Sequence, residues 1–390
     1  MFFQYRSVFT SILVLTQTLH ASVQASPLVE KNAQALALQA RNKSCQISLT
    51  PNTADIANTS YVNLVRTAKL PSGRTYRYVF SPPAESDKPY LLFLHGFPDS
   101  SYGWANQIEY FTRHGYGVIA PDMLGYGGTD SPDDLKSYRL KSINSEMIEL
   151  FDCEGVDRVV ATGHDFGTAI LSTLYYYNPD RLLALAYLTL GYTAPGANLR
   201  LAEIEALNNQ TNSLFGYPIF GYFIYHITEE AAAAYDDHLD SAYSLWFTNN
   251  ATYQKEYLAP LNELERWLSE DRRAPYGGVY ITDVVKEQWK AIVRAQGGLA
   301  GGLRWYKSLL SGVNQDDAAA LQSVSPIITK PTLVVTSNRD PVCLPSIALN
   351  NTLPYAPFAR PRTLDSGHFV QLEKADELNY ELHQFVKSLA

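Results

Sequence analysis

The stretch Arg158-Val159-Val160-Ala161-Thr162-Gly163-His164-Asp165-Phe166-Gly167 decides how the rest of the chain is read. An apolar run from Val159 to Ala161 has the length of a buried strand, and the helix-like Thr168 to Tyr177 follows directly. Between them, Gly163 and Gly167 flank Asp165. This spelling suits a sharp strand-to-helix turn on which backbone segments approach so closely that a Cβ would clash, with the central side chain held out for reaction. A carboxylate in that place can displace a leaving group at saturated carbon and form an alkyl ester, which is then hydrolysed at its own carbonyl. A glycine-rich turn carrying a solvated aspartate has the same local spelling, so the remainder of the chain must decide.

Working outward from about Tyr61, strand-like and helix-like segments alternate. Leu91 to Leu94, Val118 to Ala120, Val159 to Ala161 and Leu333 to Val335 read as short buried strands. Arg139 to Phe151 puts Leu140, Ile143, Met147, Leu150 and Phe151 on one helical face, and Ala375 to Leu389 closes the chain in the same manner. Such alternation predicts an α/β fold with a mostly parallel sheet flanked by helices. From residue 195 to 323 the alternation gives way to helical spacing rich in Tyr, Leu, Ala and acidic residues, which reads as an inserted helical cap. Core halves are therefore expected at 61–194 and 324–390, with a polar extension at 26–60 that only drapes over the core.

The strand Leu91 to Leu94 runs into His95-Gly96-Phe97-Pro98. In a fold with a strand-to-helix nucleophile turn, this loop supplies half of an oxyanion hole, so the backbone N–H groups of Phe97 and Phe166 are the expected donors. Pro98 has no N–H and supplies shape. His95 and His164 are read as locally packed and hydrogen-bonded. The orienting acid and then the base should follow the nucleophile in chain order. Asp340 ends the strand that begins at Leu333, and His368 sits in the Gly-flanked loop before the last helix; Asp365 competes with Asp340 as the acid, and the strand-end position favours Asp340.

Over roughly Tyr61 to Ala390 the chain resembles the epoxide hydrolases of the α/β-hydrolase fold, of the soluble type, in its G-x-D-x-G turn at Asp165 and its H-G-x-P loop at His95 to Pro98. The resemblance implies hydrolysis of an apolar epoxide to a vicinal diol by water, with no cofactor and no metal. It also implies two cap tyrosines that hydrogen-bond the epoxide oxygen. Gly302-Leu303-Arg304-Trp305-Tyr306 resembles one of the family's tyrosine motifs and points to Tyr306, while Phe220 to Tyr225 resembles the other and points to Tyr222. Tyr217, Tyr225 and Tyr235 are further candidates in a chain with 27 tyrosines. Phenols suit the task because a group with a pKa near 10 stabilises a developing alkoxide without being ionised beforehand. Phe97, Phe166, Tyr222 and Tyr306 are then the expected substrate contacts. Phe166 departs from the Trp often found after the family's nucleophile, which bears on pocket shape.

Composition narrows the alternatives. A net charge of -8, with no Lys/Arg cluster longer than a pair, excludes a phosphate-binding face and with it a nucleic-acid partner. The first 25 residues carry one charge, Arg6, followed by an apolar run from Val8 to Leu19 and a small-residue site ending at Ala25. They read as a secretory signal too short to span a bilayer stably. Sequons at Asn42, Asn58, Asn209, Asn250 and Asn350 fit an exported glycoprotein. Three cysteines, Cys45, Cys153 and Cys343, allow at most one bridge, and no Cys or His spacing suggests a structural zinc. Two rivals share the expected fold: a haloalkane or haloacid dehalogenase using the same aspartate, and a catalytically inactive binding protein. Dehalogenases place Trp or Asn donors around the halide, whereas Phe97 and Phe166 offer no side-chain donor; an inactive relative would be expected to have lost a residue of the set. An ordinary serine esterase is disfavoured by Asp165 itself.

Overall fold

The computed structural model describes residues 45–277 and 281–389. The expected leader, the first part of the 26–60 extension and the Asn42 sequon lie outside the described residues.

Nine strands form one sheet: β1 (Gln46–Ser48), β2 (Val65–Lys69), β3 (Thr75–Ser81), β4 (Tyr90–Leu94), β5 (Gly117–Pro121), β6 (Val159–His164), β7 (Leu182–Leu188), β8 (Thr332–Ser337) and β9 (Ala359–Leu364). Their order is β1-β2-β3-β5-β4-β6-β7-β8-β9. β1, β2 and β3 make an antiparallel ribbon whose last strand pairs antiparallel with β5, and the six strands from β5 to β9 run parallel. The apolar runs are continuous because both faces of the sheet are covered. In β4, Leu91 and Phe93 join Ile108 and Phe111 of helix Ala105–Arg113 and Leu382 and Phe385 of helix Ala375–Lys387 on one side. Leu92 and Leu94 join Met147 and Leu150 of helix Leu140–Cys153 and Ile170 and Leu171 of helix Phe166–Tyr177 on the other. Each fully buried Leu or Phe contributes about 1.5–3 kcal/mol, so this two-sided core holds the turns at the strand ends rigidly.

Between β7 and β8 the regular elements among the described residues are all helical, running from Leu201–Phe215 to Gln315–Leu321. The helix Leu201–Phe215 buries two polar side chains, and they act as a clasp. Asn208 Oδ1 accepts the Phe220 N–H at 2.8 Å, and Thr211 Oγ1 accepts that of Ile219 at 3.1 Å. The clasp fixes the entry to helix Gly221–His226, which carries Tyr222.

The expectation that residues before Tyr61 only drape over the core is corrected from Cys45 onward. β1 adds an edge strand, and Cys45 is disulfide-bonded to Cys153 at the end of helix Leu140–Cys153, 108 residues away in sequence. Asp55 forms an ion pair at 2.7 Å with the buried Arg77, which also pairs with Asp122 at 2.7 Å. Two charges taken out of water need such partners, so the segment is part of the folded unit. Cys343 is free and buried. A bridge closing so long a loop removes about 4 kcal/mol of unfolded-state freedom. Cys45→Ser should therefore lower stability in denaturant titration by up to that amount; an unchanged midpoint would show that β1 contributes nothing to the cooperative unit.

Asn58, Asn209, Asn250 and Asn350 are all exposed. No helix among the described residues is long and apolar enough to cross a membrane.

Candidate active site

Asp165 ends β6 and precedes helix Phe166–Tyr177 with φ 53° and ψ -124°. A non-glycine residue at positive φ costs of order 1–3 kcal/mol and persists only where its surroundings enforce it. Here they do. A Cβ on Gly163 would run into the Gly167 carbonyl, and one on Gly167 into that of Leu94, so the strand, the turn and the helix pack with no room to relax. The turn lifts Asp165 to the end of the sheet where β4 also terminates. There the Phe97 N–H donates to Asp165 Oδ1 at 2.9 Å, and the Phe166 backbone N–H also bonds the carboxylate. A Cβ on Gly96 would overlap that same oxygen.

The other carboxylate oxygen faces His368. Asp165 Oδ2 lies 3.7 Å from His368 Nε2, a buried atom with no hydrogen-bond partner among the described residues. His368 Nδ1–H donates to Asp340 Oδ2 at 2.7 Å, and Asp340 Oδ1 accepts the N–H groups of Val342 and Cys343 at 3.0 and 2.9 Å. Asp340 is therefore pinned by the loop that follows β8. Asp365, the competing acid, is exposed and pairs with Arg339 at 3.0 Å. Burial raises Asp165 above the usual carboxylate range, against the nearby His368 and the two backbone donors, which act to lower it. Burial acts to depress His368, but Asp340 overcomes it and holds the imidazole above its ordinary value. Asp340, Cys343 and His368 offer ligand atoms within 4.8 Å of one another, a grouping hidden in the linear sequence. Both Asp340 oxygens and His368 Nδ1 are engaged in hydrogen bonds, to one another and to the Val342 and Cys343 N–H groups.

Asp165, Phe166, Tyr222 and Tyr306 line one cavity of about 470 Å³ with a largely apolar wall. The two phenol-bearing rings lie 6.1 Å apart, and Phe97 packs on Tyr306 at 5.3 Å without lining the cavity by its side chain. Burial, reinforced by neighbouring acidic groups that include Asp165, raises both phenols well above their ordinary value, so they keep their protons. The other three tyrosines are placed elsewhere. Tyr217 donates to the Pro341 carbonyl at 2.6 Å, Tyr235 accepts the Trp246 indole N–H at 2.9 Å, and neither they nor Tyr225 line the cavity. His95 is locally bonded as expected, donating from Nδ1 to the Gly96 carbonyl at 2.9 Å and accepting the Met123 N–H at 2.8 Å. His164 Nε2 donates to the His368 carbonyl at 2.9 Å, so it also steadies His368.

Several residues near the site carry no local sequence signal. His226 lies 4.4 Å from the Tyr306 ring and bonds Tyr235 through Nε2 at 2.8 Å. Asp99 is buried behind the Phe97 loop, next to the Gln371 amide that also approaches His164. Nothing in the linear chain marks His226, whereas Asp99 could have been suspected from its place directly after His95 to Pro98.

These buried groups oppose one another in pH. Burial raises Asp99 and Glu146 to about 7 each, so their contribution to stability is complete below their unfolded values and is lost as pH rises to about 7. Burial lowers His95 to about 4 and takes His164 and His226 well below their ordinary value. Their contribution is present above the unfolded pKa of about 6.5 and is lost as pH falls. Asp99→Asn should remove one of the raised carboxyls, so that from pH 5 to pH 7 the protein gains about 2 kcal/mol relative to wild type in denaturant titrations. Parallel profiles for the two proteins would refute the assignment.

The strand order, the strand-to-helix turn at Asp165 and the His368–Asp340 pair define the chain as a protein of the α/β-hydrolase fold. The family model described as alpha/beta hydrolase fold matches residues 89–218. Among relatives, the chain is similar to bifunctional epoxide hydrolase 2 of Sus scrofa, at 24% identity over 84% of this chain and 59% of the relative. It is also similar to epoxide hydrolase A of Mycobacterium tuberculosis, at 26% identity over 78% and 92%. The chain spans between 52% and 59% of the length of the first curated relatives it matches. The crystal structure of epoxide hydrolase A from Mycobacterium thermoresistibile shares the fold, with a TM-score of 0.67, 24% identity, and coverage of 83% of this chain and 98% of that one.

Proposed function

We propose that this protein is an epoxide hydrolase that opens an apolar epoxide to a vicinal diol through a covalent ester on Asp165. One observation carries the reading: the two oxygens of a single buried carboxylate face different machinery, Oδ1 the Phe97 N–H and Oδ2 a partnerless imidazole nitrogen, at a cavity that also holds two protonated phenols. Asp165 Oδ2 attacks an epoxide carbon, the ring C–O bond breaks, and Tyr222 or Tyr306 gives a proton to the departing oxygen. The ester carbonyl is then Oδ1, already seated on the Phe97 N–H, and this donor, with the Phe166 N–H beside the same carboxyl group, stabilises its negative charge when water adds. His368 Nε2 takes the proton from that water, and Asp340 steadies the imidazolium. Collapse of the adduct breaks the Cγ–Oδ2 bond, the departing Oδ2 takes back the proton held by His368, the diol leaves with Oδ2 attached, and the acid proton left on the regenerated Asp165 carboxyl restores the phenol.

The halide alternative fares worse. It needs free side-chain N–H donors at the cavity, but among the described residues Trp305 is the one tryptophan that lines it, and its indole N–H donates to the Leu124 carbonyl at 2.8 Å. The similarity to named epoxide hydrolases supports the same choice. The Cys45–Cys153 bridge and four exposed sequons support export and glycosylation, because disulfides persist in oxidising compartments.

The test is side-by-side turnover of styrene oxide, a fatty-acid epoxide and a haloalkane, followed by repeated turnover in heavy-oxygen water. Epoxide opening with label accumulating in the Asp165 carboxylate is expected. Label confined to the diol would mean direct water attack, and turnover of the haloalkane alone would replace the reading.

A further inference from the structure

The residues on either side of Asp340 are both tied to the helical segment between β7 and β8. Arg339, directly before it, donates from Nη1 to the Asn249 carbonyl at 2.8 Å, and the carbonyl of Pro341, directly after it, accepts the Tyr217 phenol at 2.6 Å. The tie through Tyr217 continues to the carboxylate itself. The Pro341 carbonyl and the Val342 N–H belong to one planar peptide unit, whose oxygen accepts from Tyr217 while its N–H donates to Asp340 Oδ1 at 3.0 Å. Asp340 Oδ2 in turn accepts from His368 Nδ1 at 2.7 Å. Phenol, peptide, carboxylate and imidazole thus form one unbroken hydrogen-bonded row.

A hydrogen bond accepted by an amide carbonyl polarises the amide and strengthens its N–H as a donor, and it also fixes the plane in which that N–H points. Tyr217 is built to supply such a bond from a steady position. Gly216, at φ 80°, ends helix Leu201–Phe215 just before it, and Ile219 just after it is bound by Thr211. The Lys255 ammonium lies over the Tyr217 ring, 4.7 Å from its centre. Burial and the Asp340 charge push the phenol up to about 12, so it keeps its proton and donates at neutral pH.

We propose that Tyr217 is a positioning residue for the second half of the reaction, orienting through the Pro341–Val342 peptide the carboxylate that supports His368, and so speeding hydrolysis of the Asp165 ester without a part in ring opening. The assignment rests on the covalent-ester reading of Asp165. Tyr217 does not line the cavity, whereas Tyr222 and Tyr306 do. The phenols therefore divide the work: those on the wall serve the departing epoxide oxygen, and the one behind the Asp340 loop serves the water step.

The experiment is a single turnover of styrene oxide by the full chain in excess, quenched at intervals and read by intact mass, so that ester formation and ester decay are timed separately. It compares wild type, Tyr217→Phe, Asp340→Asn and the double variant. Tyr217→Phe keeps the ring and its packing, and cooperative unfolding in denaturant should confirm that it folds. It should form the ester at a rate within about twofold of wild type and hydrolyse it roughly fivefold more slowly, the worth of one hydrogen bond. In the Asp340→Asn background the same change should alter hydrolysis by less than about twofold, because the phenol acts through that carboxylate. Three results overturn the proposal: ester decay as in wild type, ring opening slowed as much as hydrolysis, or the full effect persisting in the double variant, which would mark Tyr217 as a structural residue. If the ester forms and Tyr217→Phe hydrolyses it like wild type, the inference fails and the catalytic reading stands; if no ester forms in any of the four proteins while the epoxide is opened or left intact, the reading fails and takes the inference with it.

Discussion

Asp165→Ala and Asp165→Asn should both lose turnover by at least about a thousandfold while the protein remains folded. The expected loss follows from what no other group can supply. Asp165 is the single carboxylate on the cavity wall, and its Oδ2 is the oxygen not held by the Phe97 N–H. Stability should not fall with activity. Burial raises the Asp165 carboxyl above its usual range, which means that the charged form is disfavoured in the folded protein, so a neutral residue of similar size relieves a cost. Asparagine also tolerates the positive φ of 53° that the turn imposes, whereas alanine adds strain there. The thermal midpoint of Asp165→Asn at neutral pH should therefore equal or exceed that of wild type. Wild-type turnover in either variant would discard the nucleophile assignment, and a collapse of the fold in both would recast Asp165 as a structural residue.

The second large effect is expected at the base. His368→Gln should leave ring opening in place and slow ester hydrolysis by roughly 10²–10⁴-fold, because Nε2 faces Oδ2 at 3.7 Å and is the one imidazole nitrogen free to take a proton from water there. The ester should then accumulate, visible as an intact-mass increase equal to one substrate molecule. Asp340→Asn should show a weaker version of the same trapping, since His368 would keep its place but lose the charge that favours imidazolium. Rapid diol release with an unmodified protein mass in His368→Gln would assign hydrolysis to another group.

The expected α/β core, its mostly parallel sheet and the nucleophile turn were legible because each depends on residues close in sequence. Leu91 to Leu94 declared a strand buried on both faces, and the glycines around Asp165 declared a turn with no room for a Cβ. The His368–Asp340 pairing was legible for a related reason: each follows a strand end, and their chain order left Asp340 with one competitor. Tertiary structure removed Asp365, which faces solvent and Arg339. It separated Tyr222 from Tyr217, Tyr225 and Tyr235, because the Asn208–Thr211 clasp and the packing of helix Gly221–His226 determine which phenol faces the cavity. The antiparallel ribbon that begins at β1 was missed, since Gln46–Ser48 is only three residues long and is polar at both ends.

By itself, then, the sequence determined that a carboxylate stands on a tight strand-to-helix turn in a sheet wrapped by helices, because turn sterics and hydrophobic periodicity act over a few residues. Only the tertiary structure decided which groups meet that carboxylate. The His368 nitrogen beside Asp165, the Tyr222 and Tyr306 phenols at one cavity and the Cys45–Cys153 bridge join distant segments, and their formation depends on how whole elements pack, which no local pattern of residues encodes.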